Sequence, residues 1–299
     1  MSTTTVHTAD LRFQGCERVI ALYIVPHAGG VVLLDPGPHI CFAALTAALQ
    51  HHGYAVADVT DVLLTHIHFD HAGAAWALAR AGARVHVHPA GERHLADPSR
   101  LWDSAARIYG REMMLQLWGD MQAIEPDRLR TWQHEERDTL GSLDVRALHT
   151  PGHAKHHIAW RLGDAMFLGD VGGVRIAGNL VEPPCPPPDI DVEAWQRSIG
   201  LVRDATTPNT KAYLAHYGEV VDLMSHLGAL ESELLAWATE ARALVESGVG
   251  GADGQFADFI ERRRRRSHPE ADLGAYALAN PAHMSYAGLK RYFERRATS

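Results

Sequence analysis

Short apolar runs bounded by glycine, proline or charged residues recur through the first two-thirds of the chain, and such runs are typical of buried strands. They predict strands at residues 18–25, 31–35, 61–65, 84–88, 143–149, 157–162, 165–168 and 211–215. The first two form a hairpin around a turn at 27–30. Segments whose apolar residues lie three or four positions apart predict helices at 41–52, 73–81 and 191–203. This β-α-β order implies an α/β fold in which helices cover a sheet.

Two stretches depart from this alternation. Residues 98–124 carry large apolar side chains at helical spacing, among them Trp102, Met114 and Trp118. They predict a helical insertion that belongs to the core or acts as a lid or substrate-binding element. After residue 218 the pattern is helical, with helices expected at 220–247, 257–266 and 286–296. We therefore expect an α/β domain over residues 1–217, carrying the insertion, and a helical C-terminal region over 218–299.

Composition limits the location of the protein. Of its 299 residues, 46% are hydrophobic and 21% are charged, an ordinary balance for a globular protein. A run of about 18 apolar residues, which a membrane span needs, does not occur, so no membrane partner is expected. The N-terminus lacks the basic and apolar regions of a secretory signal. Cys16, Cys41 and Cys185 suit reduced thiols, and together these features predict a cytoplasmic protein.

Charge bears on the partners of the chain. The net charge of -8 has the wrong sign for a general nucleic-acid binder, so no nucleic-acid partner is expected. Residues 262–266 are a local exception, since they are five consecutive arginines. On a helix such a run points to every side, so most of it should be solvated. The alternative is a basic patch that attracts an anionic substrate tail or a partner.

Residues 65–71 follow a predicted strand directly and read THIHFDH. If the strand ends at Thr65, His66 and His68 protrude from its C-terminal end, where α/β folds place their sites. Asp70 and His71 follow on a loop that opens a helix. Tetrahedral Zn²⁺ takes about four ligands, so this segment alone cannot complete two ions. Further ligands should lie at other strand ends.

Three later residues meet this condition. His153 follows the strand at 143–149, Asp170 follows the strand at 165–168, and His216 ends the strand at 211–215. The expected metal ligands are shared between two ions, with Asp170 common to both: His66, His68 and His153 on the first, Asp70, His71 and His216 on the second. Four other histidines lie near the same strand ends and are expected to support the ligands or to be exposed: His86, His88, His156 and His157.

In this order the motifs resemble those of the metallo-β-lactamase fold superfamily, specifically its dinuclear hydrolases of the glyoxalase II type. The resemblance rests on HxHxDH at 66–71, PGH at 151–153, GD at 169–170 and the strand-end His216. It covers residues 18–217, roughly two-thirds of the chain. It implies an αββα sandwich, in which two mixed sheets lie between helical layers and the metals lie at one edge.

The expected reaction is hydrolysis. Two divalent ions about 3.5–4 Å apart lower the pKa of a bridging water so that hydroxide exists at neutral pH. One ion polarises the electrophile and the other holds the leaving group, while Asp70 orients the hydroxide and passes its proton on. Zn²⁺ is the expected metal. Iron and manganese are alternatives, because imidazole and carboxylate serve all three.

Departures from individual subfamilies narrow the substrate to a small molecule with an ester-like bond. Position 170 is Asp rather than the Cys of typical zinc β-lactamases. Phe69 stands where tRNA-processing members typically carry Gly, and Gly173 stands where many acyl-homoserine lactonases carry Tyr. A thioester is favoured, because the arginine run would attract an anionic carrier such as coenzyme A. A lactone and a phosphodiester are the alternative substrates.

Two other functional classes compete with hydrolysis. An iron-dependent persulfide dioxygenase-like oxidoreductase would use one iron, held by His66, His153 and Asp170. A non-catalytic binding module would normally have lost ligands, and every motif ligand is present in the sequence. In the segment 280–286, His283 and Tyr286 are either substrate contacts or parts of a helix-entry turn. The sequence does not determine the oligomeric state and leaves a homodimer open.

Overall fold

Two sheets pack face to face and enclose the central core. In this computed structural model, which describes residues 3–267 and 273–297, each sheet has six strands. The first sheet contains, in spatial order, β1 (His7–Asp10), β2 (Ala21–His27), β3 (Gly30–Leu34), β4 (Val59–Leu63), β5 (Arg84–Val87) and β6 (Leu129–Thr131). Strands β1 to β3 are antiparallel neighbours, which confirms the expected hairpin, and β3 to β6 run parallel.

The second sheet is mixed as well. Its strands, in spatial order, are β12 (Gly218–Val220), β11 (Lys211–Leu214), β10 (Ala165–Phe167), β9 (Ile158–Leu162), β8 (Leu143–His149) and β7 (Arg137–Leu140). Only β10 and β11 pair in parallel among these described strands. Consequently β8, β10 and β11 run in the same direction, and their carboxyl ends lie at the same edge of the sheet.

Helices cover the outer faces of both sheets. They are α1 (Phe42–His51), α2 (Phe69–Ala72), α3 (Ala75–Arg80), α4 (Pro89–Ala96), α5 (Ser99–Tyr109), α6 (Arg111–Trp118), α7 (Val192–Ala205), α8 (Leu223–Ser247), α9 (Ala252–Ser267), α10 (Leu273–Ala279) and α11 (Ala282–Ala297). Side chains of α1 and α3 pack on the first sheet, and those of α7, α8, α9 and α11 pack on the second. The fold is therefore the expected αββα sandwich.

The side chains of each strand alternate between the two faces of its sheet. On β2, Leu22 and Ile24 point towards α1 and α3, whereas Tyr23 points into the space between the sheets. Trp160 and Phe167 fill that space from the second sheet. Successive side chains of a strand point to opposite faces, so one apolar strand serves two cores. Burial of each large apolar side chain contributes about 1.5–3 kcal/mol.

Differences from the predicted elements concern short segments. Four strands were not predicted: β1, β6, β7 and β12. Each has only three or four residues, most of them half-buried or exposed. Such short segments have too few apolar residues to be distinguished from loops in the sequence. Helix α2 contains Asp70 and His71, which the sequence analysis placed on a loop. Strand β12 follows the strand expected to be last. The helix expected from residue 220 begins at Leu223, where the Asp222 side chain accepts a hydrogen bond from the Ser225 backbone N–H.

The C-terminal helices share a hydrophobic cluster with the second sheet. Leu230, Leu234 and Trp237 of α8 are buried in the same cluster as Trp195 of α7, and Phe256 of α9 packs edge-on against Trp237 at 5.9 Å between ring centroids. The chain beyond residue 217 is thus packed against the α/β portion. None of the helices described in residues 3–267 and 273–297 combines the length and the apolar composition of a membrane-spanning segment.

The insertion expected at 98–124 forms α5 and α6. Trp102 and Trp118 both contact Phe69, with ring centroids 5.7 and 6.2 Å away, and Trp118 also stacks on Phe13. Met114 is fully buried in the core of the first sheet. The inner face of the insertion therefore belongs to the core and supports α2 from behind.

Candidate metal centre

All seven expected ligands lie at one edge of the sandwich, where loops from both sheets meet. His66 and His68 lie between β4 and α2, while Asp70 and His71 lie on α2 itself. Asp170 lies on a short 3-10 turn after β10. His153 follows β8 and His216 follows β11, as the sequence predicts. Most of these side chains are buried, and those of His68 and Asp70 are partly exposed.

The first group consists of the inward-facing ring nitrogens of His66, His68 and His153. The His66 Nε2 atom lies 2.9 Å from His68 Nδ1 and 3.2 Å from His153 Nε2, and His68 Nδ1 lies 2.9 Å from His153 Nε2. Ligand nitrogens about 2.0–2.1 Å from one tetrahedral ion would be separated by about 3.3 Å. The three nitrogens thus form a triangle of nearly the size that a single divalent ion needs.

The second group consists of Asp70, His71 and His216. Asp70 Oδ2 lies 3.7 Å from His71 Nε2 and 3.5 Å from His216 Nε2. Asp170 connects the two groups, because its Oδ1 atom lies 3.3 Å from His71 Nε2 and its Oδ2 atom lies 3.4 Å from His153 Nε2. The side chains thus lie in the two groups that the sequence predicts, with one carboxylate near both, and His66 also lies close enough to His71 and Asp170 for these three to share an ion.

Unpaired polar atoms mark the second group as suited to a cation. His71 Nε2, His216 Nε2 and Asp170 Oδ1 are buried and have no hydrogen-bond partner. An unpaired buried polar atom costs about 1–3 kcal/mol, so three such atoms facing one another would be unfavourable without a ligand. A divalent cation would satisfy all three, since imidazole nitrogen and carboxylate oxygen are common donors to zinc and iron.

The outward ring nitrogens of four ligands have fixed acceptors. His71 Nδ1 donates to Asp35 Oδ2 at 2.9 Å, His153 Nδ1 donates to the Pro184 carbonyl at 2.8 Å, and His66 Nδ1 lies 3.0 Å from Thr65 Oγ1. His216 Nδ1 donates to the Val19 carbonyl at 2.6 Å. Each bond selects the tautomer that leaves Nε2 free to accept a metal, an arrangement typical of metal-binding histidines.

Asp35 is a functional residue that the sequence analysis treated only as the end of a strand. Besides His71, its carboxylate accepts hydrogen bonds from the Thr65 backbone N–H at 2.8 Å and from Thr65 Oγ1 at 2.7 Å. Its backbone has φ of 44°, a conformation that aspartate tolerates better than most residues. An aspartate at the end of an apolar strand and before Pro-Gly was the available signal.

His157 supports the turn that carries Asp170. Its Nδ1 atom pairs with Thr150 Oγ1 at 2.8 Å, and its Nε2 atom accepts the Val171 backbone N–H at 3.3 Å. Gly169 has φ of 52°, and a Cβ atom there would lie 2.8 Å from His157 Nε2. This close approach explains the glycine of the GD motif.

The other three histidines without a motif role differ in their surroundings. His156 is buried, and its ring centroid lies 6.3 Å from that of His66. His86 is buried between Asp61 and Trp132, to which it is hydrogen-bonded at 2.7 and 2.8 Å. His88 is half-buried and caps α4. None of these three is simply exposed.

The histidines of the first group have a strong preference for the neutral form. Burial lowers the pKa of His66 well below its ordinary value, and the neighbouring His71 and His68 add to the effect. Burial together with His153 lowers the pKa of His68 to about 3. Burial also lowers the pKa of His153, although Asp170 acts in the opposite direction. Neutral imidazole is the form that binds a metal.

The second group is dominated by its carboxylates. Burial disfavours a charged His71, but Asp170 and Asp70 raise the pKa of His71 well above its ordinary value. The pKa of His216 is raised against the effect of burial for the same reason. Conversely, His71 and His216 outweigh burial and lower the pKa of Asp70 to about 2. The pocket therefore attracts positive charge, which a proton or a metal ion can supply.

Two C-terminal residues, His283 and Tyr286, were considered as substrate contacts. Tyr286 is buried against Phe256, with ring centroids 5.4 Å apart, and His283 is exposed. Three arginines of the run 262–266 form ion pairs with glutamates: Arg263 with Glu233, Arg264 with Glu182, and Arg265 with Glu261. As expected, most of the run is exposed, namely Arg262, Arg265 and Arg266, but Arg264 is buried.

Comparison with known proteins agrees with the geometry. The family model of the metallo-beta-lactamase superfamily matches residues 14–216, a span that contains all seven side chains. Solved structures share the fold. A metallo-beta-lactamase family protein from Thermus thermophilus covers 98% of this chain and 94% of its own, with a TM-score of 0.69 and 20% identity. An archaeal superfamily protein from Sulfolobus tokodaii covers 79% of this chain and 87% of its own, with a TM-score of 0.60 and 22% identity.

Curated relatives match part of the chain. A metallo-beta-lactamase fold-containing protein of Sulfurisphaera tokodaii is 29% identical over 142 residues, which is 46% of this chain and 53% of that protein. Two hydroxyacylglutathione hydrolases are also 29% identical. The one from Rhodopseudomonas palustris matches 54% of this chain and 51% of its own length. The one from Methylococcus capsulatus matches 67% of this chain and 62% of its own length. The chain thus spans about half the length of the first two relatives.

Proposed function

The chain belongs to the metallo-beta-lactamase superfamily, whose members are generally hydrolytic metalloenzymes, and on this basis we propose that it is a dinuclear hydrolase. Its substrate would be a small molecule with an ester-like bond, and a thioester is favoured. One observation carries the proposal: the two carboxylate oxygens of Asp170 face two different groups of metal-competent side chains, 3.4 Å from His153 and 3.3 Å from His71.

In this proposal each group of side chains holds one divalent ion. His66, His68 and His153 would hold the first ion, Asp70, His71 and His216 the second, and Asp170 both. When bound, such ions supply Lewis acidity and lower the pKa of water so that it can act as a nucleophile near neutral pH. Zn²⁺ is the favoured metal, with iron or manganese as alternatives on the same donor set.

Asp70 is the proposed catalytic residue. Its side chain keeps 22% exposure, against 5% for Asp170. Because Oδ2 faces His71 and His216, the other oxygen of this more accessible carboxylate is available to substrate and water. The lowered pKa keeps the carboxylate ionised at neutral pH. In that form it would accept a hydrogen bond from the attacking water and orient it, and its low pKa means that a proton it receives would be passed on rather than held.

Two features disfavour particular substrate classes. The net charge of -8 disfavours nucleic acid. A tyrosine at position 173 would not fit, because a Cβ atom on Gly173 would lie 2.7 Å from Leu230 Cδ1 and 2.9 Å from the Glu182 carbonyl oxygen. This weakens the case for a lactonase of the tyrosine-containing kind.

The preference for a thioester rests on relatives. Two of the similar curated proteins are named as hydroxyacylglutathione hydrolases, and an acyl group on the glutathione sulfur is a thioester. The arginine run gives less support than the sequence suggested, since Arg263, Arg264 and Arg265 pair with glutamates. Arg262 and Arg266 are the exposed members that an anionic carrier would meet without breaking these pairs.

The proposal is tested by metal analysis together with a panel of thioester, lactone and phosphodiester substrates. We expect two divalent ions per chain and the highest turnover on a thioester. His68→Ala should lose both metal and activity, because it removes one corner of the first triangle. Unchanged metal content and activity in that variant would overturn the dinuclear hydrolase. A single iron with oxygen uptake on a persulfide would instead identify the dioxygenase-like oxidoreductase.

A further inference from the structure

A proline-rich segment, residues 182–186, runs between the metal centre and the C-terminal helices. On one side its backbone pairs with Val174, since Glu182 N and O are 2.9 and 2.8 Å from the Val174 carbonyl oxygen and N–H. The Pro184 carbonyl then accepts the hydrogen bond from His153 Nδ1 at 2.8 Å. The orientation of His153 therefore depends on where this carbonyl points.

The backbone N–H of the next residue, Cys185, makes a hydrogen bond on the side facing away from His153. The Cys185 N–H donates to Ser285 Oγ of α11 at 3.0 Å. The Pro184 carbonyl and the Cys185 N–H belong to the same peptide group, which is planar, and in a trans peptide they point in opposite directions. Among residues 183–188 Cys185 alone has a backbone N–H, because the others are prolines. One peptide plane thus links His153 to Ser285.

Ser285 is itself held by a buried polar network. Its hydroxyl donates to Asn280 Oδ1 at 2.7 Å, and Asn280 Nδ2 donates to Glu182 Oε2 at 3.1 Å. Arg264 of α9 donates to both carboxylate oxygens of Glu182, at 2.6 and 2.8 Å, and to the Asn280 carbonyl at 3.1 Å. All four side chains are buried. The network returns to the 182–186 segment and closes a ring.

Helix α11 packs closely against the backbone of the 182–186 segment. A Cβ atom on Gly288, one turn after Ser285 on α11, would lie 2.0 Å from the Cys185 carbonyl oxygen. The absence of a side chain at this glycine lets α11 approach the backbone of the segment. The helix and the segment therefore have little freedom to move apart without breaking the Ser285 hydrogen bond.

From these contacts we infer that Ser285, supported by Asn280, is a positioning residue for the metal ligand His153 and acts through the peptide between Pro184 and Cys185. The hydroxyl fixes the N–H, the planar peptide fixes the carbonyl, and the carbonyl fixes the tautomer and direction of the imidazole. The C-terminal helical region thereby takes part in metal binding without contacting a metal. This inference rests on the proposed function, in which His153 binds a metal.

The test is a competition titration of Zn²⁺ between the full-length protein and a chromophoric chelator. Loss of an outer hydrogen-bond partner typically lowers metal affinity about 10–100-fold, and we expect a loss of this size at one of the two sites in Ser285→Ala. Ser285→Cys, which keeps the size but offers a weaker acceptor, should give a smaller loss at the same site. Tyr292→Phe is the matched control, because it removes a hydroxyl of α11 that contacts Glu193 instead.

Spectra of the Co²⁺-loaded variants supply a second readout. The visible bands of Co²⁺ depend on its ligands, so we expect Ser285→Ala to alter them and Tyr292→Phe to preserve them. If Ser285→Ala does not fold, Ser285→Cys is measured in its place. Two zinc affinities within twofold of wild type in the folded variant, with unchanged bands, would overturn the inference alone. A wild-type protein that binds no zinc would overturn the proposed function and the inference with it.

Discussion

In the proposed dinuclear centre, Asp170 would determine whether two ions or one are held, because its two oxygens face both groups of expected ligands. Burial alone would raise its pKa, but the neighbouring His71, His153 and His216 outweigh that effect and keep the pKa well below the ordinary value, so that Asp170 stays ionised. The other six expected ligands, from residues 66–71, 153 and 216, lie around this carboxylate. The pairing of His71 with Asp35 and of His153 with Pro184 then fixes which ring nitrogens face it.

Replacing this carboxylate by an amide tests its bridging role. Asp170→Asn keeps the shape of the side chain but removes its charge, so we expect the protein to retain at most one ion. Turnover should fall about 100-fold or more, since Lewis-acid stabilisation of several kcal/mol is lost. Metal analysis and initial rates check this expectation, with the exposed Asp144→Asn as the control. Two tightly bound ions in Asp170→Asn would contradict the bridging role.

His226 provides a residue-scale prediction about pH. Its Nε2 atom donates to the Gly172 carbonyl at 2.7 Å, and burial lowers its pKa from 6.5 to about 4. A group with a lowered folded-state pKa contributes stability above its unfolded pKa, and that contribution is lost as pH falls towards the folded value. Between pH 6.5 and 4 the wild type should therefore lose up to about 3 kcal/mol through this residue.

Urea unfolding at pH 7, 5.5 and 4 measures this loss. Glutamine can donate to the same carbonyl and does not titrate, so the free energy of unfolding of His226→Gln should fall less steeply with acid than that of the wild type. The exposed His51→Gln is the control and should follow the wild-type curve. Parallel curves for the wild type and His226→Gln would show that His226 does not contribute to acid sensitivity.

Residues that belong to a sequence motif were predictable, and residues that support another side chain were not. His66, His68, Asp70 and His71 are close in sequence, so their spacing alone indicates a shared ligand. Asp35 reaches His71 across 36 positions of sequence, and no spacing marks that contact. His157 and Ser285 are similar cases, because their importance depends on which backbone groups the fold brings beside them.

At the scale of elements, the length of a segment decided whether it could be predicted. The apolar strands β2, β3 and β8 have five to seven residues, and the sequence placed each within a few positions of its observed bounds. Short half-exposed strands such as β1 and β7 bury too few side chains to leave a pattern. Helix α4 was missed because its eight residues, PAGERHLA, bury only Gly91 and Leu95 and so leave no apolar pattern at helical spacing.

The insertion formed by α5 and α6 yields a prediction at this scale. If its inner face is part of the core, Met114→Ala should lower the free energy of unfolding by about 2–5 kcal/mol, as expected for a buried methionine. Leu115→Ala, at a neighbouring position that is 53% exposed, should change it by no more than about 0.5 kcal/mol. Chemical denaturation of both variants measures the difference. Equal small effects would indicate a loosely attached lid.

At the scale of the whole molecule, the sandwich brings distant loops to one edge. β4 belongs to the first sheet and β8, β10 and β11 belong to the second, yet the residues after all four strands meet. The sequence indicated that ligands follow strand ends, because the carboxyl ends of such strands are where α/β folds place their sites. It did not indicate how the C-terminal helices attach, because their packing depends on contacts such as Arg264 with Glu182.

The C-terminal helices should be required for the fold of the whole chain. A protein that ends at residue 217 would expose the face of the second sheet and α7 that α8 and α9 cover. We expect it to lack a cooperative thermal transition in circular dichroism and to elute as an aggregate or expanded chain. A truncated protein with the melting temperature of the full chain would show that residues 218–299 are an independent attachment.

The most direct measurement of the dinuclear centre is anomalous X-ray scattering at the zinc absorption edge, from crystals of the zinc-loaded protein. We expect two peaks about 3.5–4 Å apart, one among the ring nitrogens of His66, His68 and His153 and the other among Asp70, His71 and His216, with Asp170 between them. A single peak, or peaks away from these side chains, would contradict the centre proposed here.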